Sequence, residues 1–181
     1  MPRDKFGPGH TFLAKEEILS YEEMVKVVAS LLPLGLAKVR ITGGEPLLRR
    51  DLHVLIGLLR ELDPDLDIAM TTNGVLLKRN AEILLKSGLN RVTVSLDAVE
   101  EDLFQAIADS NNTPKQIFEG IDLAQEIGLP VKVNCVVKKG VNESQIVPLT
   151  KACMERRVPV RFIEFMAVSY THLTLPTNVA V

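Results

Sequence analysis

Short segments rich in valine and isoleucine alternate along the chain with longer segments in which apolar residues recur at helical spacing. The helical segments begin and end at known signals, such as the capping box formed by Ser20 and Glu23 and the glycine at Gly88. The pattern predicts a helix after Ser20 and further helices at 52–63, 78–87, 100–108, 114–127 and 142–156, the last with Asn142 as its N-cap. It predicts strands at 37–42, 67–71, 91–96, 131–137 and 158–165.

Strands that alternate with helices at this spacing are typical of a parallel sheet, so the sequence predicts an α/β fold. The periodicity leaves open whether the sheet is open and twisted or forms a partial or closed barrel. No linker interrupts the pattern before residue 166, and we expect one domain over 1–166. Residues 167–181 contain no Asp, Glu, Lys or Arg and follow neither period, so we expect an unstructured tail that is not part of the natural protein.

Charge and composition exclude several classes of function. The formal net charge is -2 and the pI is about 6.0, so no general positive field attracts nucleic acid or an anionic membrane. No segment approaches the roughly 20 apolar residues that cross a bilayer, and residues 1–10 do not form a signal peptide. We therefore expect a cytoplasmic protein.

Cys135 and Cys153 have no metal-binding spacing, and we expect both to pack as small apolar side chains.

Polar residues gather where the predicted strands end, at 43–46, 71–74, 95–97, 132–134 and 164–166. In parallel α/β folds, ligands bind at the carboxyl ends of the strands. Each segment also has a purely structural explanation. A Gly-Gly pair forms tight turns, Thr and Asn bond to nearby backbone, and Ser95 and Asp97 can cap the following helix.

Arg40 and Lys132 lie inside predicted strands, where an unpaired buried cation is costly. Either side chain can extend to the rim of the sheet or pair with an acidic neighbour. The alternation along 40–42 and 132–134 places the polar residues of each strand on one face. Two strands with such a face indicate a ligand cavity more than a solvated surface.

Five segments, in this order and spacing, resemble the GTP 3′,8-cyclase family of radical S-adenosylmethionine (SAM) enzymes: RITGGEPLLRRDL, TTNGVLL, GLNRVTVSLDA, VKVNCVVKKGVN and RFIEFM. The resemblance covers residues 1–166. It implies an incomplete (β/α)6 barrel, of which this chain would lack the first strand and the cluster-binding loop. It also implies a lyase that uses SAM and 4Fe–4S clusters to convert GTP to (8S)-3′,8-cyclo-7,8-dihydroguanosine 5′-triphosphate in molybdenum cofactor biosynthesis.

The resemblance implies roles for residues at matching positions. Those matched to SAM contacts are Gly44, Ser95 and Met166, with Gly43, Glu45 and Pro46 forming the rest of the Gly44 turn. Those matched to residues that hold GTP are Arg40, Thr71 and Lys132. Phosphate recognition suits the two cations, since Arg offers a fixed fork and Lys a point charge.

The family holds its cluster with a Cys-x-x-x-Cys-x-x-Cys loop that is absent from this sequence. We therefore assign no metal ligand and no catalytic residue to the chain, and we expect the chain to begin just after the last cluster ligand. The 181-residue polypeptide alone is predicted to be inactive.

Two alternatives remain open. The parent could be another radical SAM enzyme, such as a peptide-modifying one, although a peptide would not require the cations Arg40 and Lys132. The chain could also be a non-catalytic fragment. For the cyclase interpretation the expected partners are GTP and, downstream, the companion molybdenum-cofactor biosynthesis protein C.

Overall fold

The structure, a computed structural model, describes residues 18–166. Over this range the helices are α1 Tyr21–Leu31, α2 Leu52–Leu62, α3 Leu77–Lys86, α4 Glu101–Ala108, α5 Pro114–Glu126 and α6 Ile146–Glu155. The strands are β1 Lys38–Ile41, β2 Asp67–Thr72, β3 Arg91–Ser95, β4 Val131–Val137 and β5 Val160–Glu164. All five predicted strands are therefore confirmed. The predicted tail, 167–181, lies outside the described residues.

The five strands form one parallel sheet in the order β1-β2-β3-β4-β5. A doubly wound sheet reverses its strand order at a switch point. Here each strand lies beside the next one in the chain, which is the order of a barrel. The fold is therefore a partial (β/α) barrel, which decides the choice that the periodicity left open, and a doubly wound order is excluded for the described strands.

One face of the sheet is apolar and carries the helices. Ile68, Met70, Val92, Val94 and Val133 project from this face, and each is at most 1% exposed. They belong to one core with buried side chains of three helices: Leu55, Ile56 and Leu59 of α2, Leu77, Ala81 and Leu84 of α3, and Ile117, Ile121 and Ala124 of α5. Because burial of apolar area dominates folding energy, this face fixes the register of the strands. The opposite face is left for polar residues.

Two helices begin as the sequence predicts. Ser20 and Glu23 form the expected capping box at α1, each bonding to the backbone of the other. Thr113 and Gln116 form a second capping box at α5, with Pro114 at the first helical position.

The prediction for Asn142 is confirmed in position only. Asn142 occupies the N-cap position of the 3-10 helix Glu143–Gln145, and α6 follows directly at Ile146, but the Asn142 side chain makes no capping hydrogen bond. That side chain is 2% exposed and donates to the carbonyl oxygens of Asp97 and Val136, each at 2.9 Å. A buried amide must satisfy its donors and acceptor inside the protein. Asn142 does so by tying the end of β4 to the loop after β3.

Candidate functional site

A polar cavity of about 590 Å³ lies on the face of the sheet opposite the helices. We call it the cationic cavity, because its lining includes Arg40, Arg91, Lys132 and Arg161 together with Thr71, Thr93 and Asn134. The strand register explains this grouping, since Thr71 pairs with Thr93, Thr93 with Lys132, and Asn134 with Arg161. In-register neighbours on parallel strands point to the same side of the sheet.

The charges of this cavity are only partly compensated. Asp67 pairs with Arg91 and lies 3.5 Å from the Lys38 ammonium, and the Arg91 guanidinium holds the pKa of the Asp67 carboxyl below its usual value. Within residues 18–166, no acidic side chain forms an ion pair with Arg40, Lys132 or Arg161. Three positive charges therefore face the cavity without a counter-charge.

Asn134 lines the same cavity and carries an unsatisfied polar atom. Its side-chain oxygen is buried, and none of the described residues donates a hydrogen bond to it. Such atoms are rare in folded proteins. Asn134 stands beside Ser95 in the sheet register and so lies at the boundary with a second cavity.

The second cavity, of about 450 Å³, lies at the carboxyl ends of β1, β2 and β3. We call it the turn cavity, because Gly43, Gly44 and Glu45 of the turn after β1 line it together with Asn73, Val75, Ser95, Asp97, Phe104, Ile107, Ala108, Ser110 and Asn112. It combines bare backbone and polar groups with apolar side chains, a mixture found in small-molecule sites.

Nothing in the described chain requires glycine at positions 43 and 44. A Cβ atom added at either would meet no atom within 4 Å, and neither residue has the left-handed φ that favours glycine. The backbone of this turn is therefore open to the cavity. A bound ligand that approaches the backbone closely would account for the two glycines.

The Glu45 carboxylate faces the turn cavity but bonds to the chain itself. It accepts hydrogen bonds from the Leu47 N–H at 3.0 Å, the Thr72 hydroxyl at 2.7 Å and the Asn73 N–H at 2.7 Å. Thr72 is 2% exposed, and its hydroxyl oxygen accepts from the Gly74 N–H at 3.1 Å. These bonds link the turn after β1 to the turn after β2.

Ser95 and Asp97 do not cap the next helix, so that structural interpretation is wrong. Helix α4 has Glu100 at its N-cap position, and the Glu100 side chain makes no capping bond. The Asp97 carboxylate instead accepts from the Val136 N–H at 2.7 Å, which ties β3 to β4. Burial raises the pKa of Asp97 above its usual value, and the hydrogen bond from Val136 opposes that shift.

The structure groups most of the residues predicted from sequence. Gly43, Gly44, Glu45 and Ser95 line the turn cavity, and Arg40, Thr71 and Lys132 line the cationic cavity. Two predicted residues lie apart from both. Pro46 is buried in the 3-10 helix Pro46–Leu48 and lines a small apolar pocket beside α1 and α2, and Met166, at the end of the described range, is 78% exposed.

Three polar residues of the cationic cavity were not predicted from the sequence: Arg91, Thr93 and Arg161. A signal for them was present in the strands. Arg91, Thr93 and Ser95 alternate with valines in β3, so they share the face of the sheet that carries Ser95. Arg161 is the register partner of Asn134 and therefore points to the same side.

The described residues do not fit a 4Fe–4S cluster. Within 18–166 no group of three or more His, Cys, Asp or Glu side chains is placed to hold a metal ion. Cys135 and Cys153 are buried, as the sequence analysis expects. Burial raises the pKa of both thiols, that of Cys135 to about 12, so neither readily supplies a thiolate. Over the same residues, no helix is long and apolar enough to cross a membrane.

Comparison with known proteins agrees with the resemblance of the motifs. GTP 3′,8-cyclase of Staphylococcus aureus strain JH9 is 48% identical to the chain over 168 residues, which are 93% of this chain and 49% of that relative. The enzyme of strain Newman gives the same values. The chain therefore spans about half the length of the curated relatives that it matches.

Solved structures agree with the fold. SuiB of Streptococcus suis superimposes with a TM-score of 0.71 at 24% identity, covering 88% of this chain and 37% of SuiB. Methylornithine synthase (PylB) gives a TM-score of 0.62 at 20% identity, covering 82% of this chain and 44% of that chain. The partial barrel is thus that of radical SAM enzymes. The radical SAM superfamily matches residues 6–153, and the chain belongs to this superfamily.

Proposed function

We propose that this chain binds SAM and GTP as part of a GTP 3′,8-cyclase, a lyase that converts GTP to (8S)-3′,8-cyclo-7,8-dihydroguanosine 5′-triphosphate. One observation carries the proposal. A cavity with three uncompensated cations adjoins the turn cavity, in a chain that is 48% identical to GTP 3′,8-cyclases over the compared residues.

The cationic cavity would hold the triphosphate of GTP. Arg40, Lys132 and Arg161 carry charges that the described residues leave unpaired, and a triphosphate supplies a matching negative charge. Two guanidinium groups can bind phosphate oxygens in pairs, while the ammonium of Lys132 acts as a point charge. Thr71 would act together with Arg40, whose guanidinium already donates to the Thr71 hydroxyl at 3.0 Å.

The turn cavity would hold SAM. The open backbone of Gly43 and Gly44 can bond to the polar methionyl part, and Ser95, which lines the same cavity, offers a hydroxyl. Phe104 and Ile107 give the cavity an apolar side. When bound, SAM would supply the radical chemistry of the superfamily.

The two cavities adjoin at one pair of strand neighbours. Ser95 lines the turn cavity, and Asn134, its register partner on β4, lines the cationic cavity. Hydrogen transfer between two ligands requires them to lie in contact. At this boundary the two ligands would lie in contact.

The proposal assigns the chain no part in holding the cluster, since the described residues do not fit one. It assigns Met166 a place beside SAM on the motif match alone. The product would pass to the companion molybdenum-cofactor biosynthesis protein C. We expect this chain to act in the cytoplasm as part of this pathway.

A peptide-modifying radical SAM enzyme remains the second candidate. SuiB bound to its precursor peptide SuiA shares the fold at 24% identity, with a TM-score of 0.69, 86% of this chain and 36% of that chain being covered. A likeness at that level speaks for the fold alone. The three unpaired cations favour a polyanionic substrate over a peptide.

The test is calorimetric titration of the chain with GTP and with guanosine at two salt concentrations. We expect GTP to bind much more tightly than guanosine, and the difference to shrink as salt rises, because the phosphates supply the charge. Equal affinity for the two ligands, or no response to salt, would contradict the assignment of the cationic cavity. A separate titration with SAM tests the turn cavity.

A further inference from the structure

The Glu45 carboxylate lies between two turns that line the turn cavity, the one after β1 and the one after β2. An acidic side chain beside a SAM site would ordinarily be taken as a ligand to the positively charged SAM molecule. Its hydrogen bonds lead to a different conclusion.

Three donors of the chain already occupy this carboxylate. Oε1 accepts from the Leu47 N–H and from the Thr72 hydroxyl, and Oε2 accepts from the Asn73 N–H, all at 2.7 to 3.0 Å. Hydrogen bonds to an ionised acceptor are about twice as strong as neutral ones. A ligand that claimed the same oxygens would have to displace them.

The turn after β1 depends on this contact. Among the described strands, β1 pairs only with β2, and that pairing ends at Ile41 and Met70. Residues 42–44 continue beyond the ladder, and no side chain of the described protein packs where a Cβ of Gly43 or Gly44 would be. Glu45 is the next residue, and its carboxylate reaches across to Thr72 and Asn73 on the neighbouring strand end.

We infer that Glu45 is a positioning residue that fixes the Gly43–Gly44 backbone for SAM by anchoring the turn to β2 through Thr72 and Asn73. The inference rests on the proposed binding of SAM in the turn cavity. Thr72 takes part in the same hydrogen-bond network. Its hydroxyl accepts from the Gly74 N–H and donates to Glu45, so one hydrogen-bond chain sets both turns.

Thr72 separates this role from direct contact, because its side chain is 2% exposed and does not line the turn cavity. Thr72→Val keeps the shape and removes the hydroxyl. Glu45→Gln keeps one oxygen acceptor but presents an amide N–H to a backbone donor, so at least one of the three bonds is lost. If Glu45 positions the turn, both variants weaken SAM binding. If Glu45 contacts SAM directly, only Glu45→Gln does.

The experiment titrates SAM and GTP into the wild-type chain, Glu45→Gln, Thr72→Val and the double variant. Loss of one charged hydrogen bond predicts about a tenfold rise in the SAM Kd for each single variant. The SAM affinity of the double variant should fall by less than the product of the two single effects, because both changes break the same hydrogen-bond chain.

GTP affinity should stay within about twofold, which separates positioning from general unfolding. Thr150→Val is the matched control, since among the described residues its hydroxyl bonds only to the Ile146 carbonyl within α6.

Weaker SAM binding in Glu45→Gln with normal binding in Thr72→Val overturns the inference, as does normal binding in both.

Hydrogen exchange at the Asn73 amide gives an independent measure, and we expect it to accelerate about tenfold in Glu45→Gln while the Val94 amide is unchanged. Unchanged exchange at Asn73 also overturns the inference. A wild-type chain that binds no SAM contradicts the proposed function instead, and the exchange measurement then decides whether the anchor exists.

Discussion

The Arg40 guanidinium donates a hydrogen bond to the Thr71 hydroxyl across 3.0 Å, joining β1 to β2 on the polar face of the sheet. A hydroxyl carries no charge, so this bond orients the guanidinium without neutralising it. Arg91, on the same face, is neutralised by Asp67. Among the described residues, the cationic cavity thus contains one charge that is paired within the fold and three that remain available to a ligand.

Lys132→Ala should weaken GTP binding. Removing a charged partner of a phosphate costs about 1.5–3 kcal/mol, which corresponds to a tenfold or greater rise in the GTP Kd. SAM affinity should not change, because Lys132 does not line the turn cavity. Titration calorimetry with each ligand measures both. Lys151→Ala, an exposed lysine of α6, is the control. Unchanged GTP affinity in Lys132→Ala would remove the basis for the phosphate assignment.

Gly44→Ala should weaken SAM binding without lowering stability, whereas Gly74→Ala should lower stability. A methyl group at Gly44 meets no protein atom within 4 Å, so the folded state should keep its stability within about 0.5 kcal/mol. SAM, however, would meet the new methyl group, and its affinity should fall sharply.

At Gly74 the φ is +80° and an added Cβ would lie 2.8 Å from Val94 Cγ1, so Gly74→Ala should lower the free energy of unfolding by about 2 kcal/mol or more. Urea unfolding and SAM titration of both variants distinguish the two effects. Normal SAM binding by a folded Gly44→Ala protein would mean that the turn cavity does not hold SAM.

Much of the fold follows from the sequence because burial and periodicity act locally. Runs such as Val131–Val137 face a core on one side, and their composition marks them as strands. The side-chain bonds of Asn142 differ from the prediction for the opposite reason. Its sequence context favours a cap, whereas its actual partners, the carbonyls of Asp97 and Val136, come from the ends of two strands and appear only once the sheet is assembled.

The candidate site was predictable only in part. Arg40 and Lys132 stand out because each is a cation within an apolar strand. Arg91 is the first residue of its strand, where a solvated charge is ordinary, and the place of Arg91 and Arg161 in the cavity depends on the register. Glu45 was assigned to SAM through its motif. Its bonds to Thr72 and Asn73 join segments 27 and 28 residues away, which periodicity does not reveal.

Asp97→Asn should change the pH dependence of stability. Burial raises the pKa of Asp97 in the folded state, so the folded chain binds that proton more tightly than the unfolded chain does. This carboxyl therefore disfavours folding at pH 7, and its penalty disappears as pH falls through the raised pKa to the unfolded value of about 3.9.

Asparagine at position 97 keeps an oxygen that can accept from the Val136 N–H. We expect Asp97→Asn to be at least as stable at pH 7, with a difference that vanishes near pH 3.5; urea unfolding at both pH values measures it. A variant clearly less stable at pH 7 would contradict this.

Asp67→Asn should show the opposite sign. Arg91 lowers the pKa of Asp67, so the ionised carboxyl stabilises the folded chain above the unfolded value of about 3.9. That contribution is lost as pH falls through the lowered pKa. The variant should be less stable than wild type at pH 7 and equal to it at low pH, in the same urea series. A constant difference at all pH values would show that packing, and not charge, is responsible.

The 181-residue polypeptide should form no 5′-deoxyadenosine from SAM. Its only two cysteines are buried thiols, and the described residues hold no metal site. The measurement is anaerobic reconstitution with iron and sulfide, reduction with dithionite, and mass spectrometry of the nucleosides. A complete GTP 3′,8-cyclase treated in parallel is the positive control. Detection of 5′-deoxyadenosine above the level of a protein-free sample would refute the prediction.

The two buried thiols also make the chain its own reporter of unfolding. Burial raises the pKa of Cys135 to about 12, so this side chain is a neutral thiol at pH 7, and the folded chain covers it completely. A thiol reagent can therefore label Cys135 only after the sheet opens around β4. The labelling rate measures how often that opening occurs, without an introduced cysteine, and a ligand that binds only the folded chain should slow it.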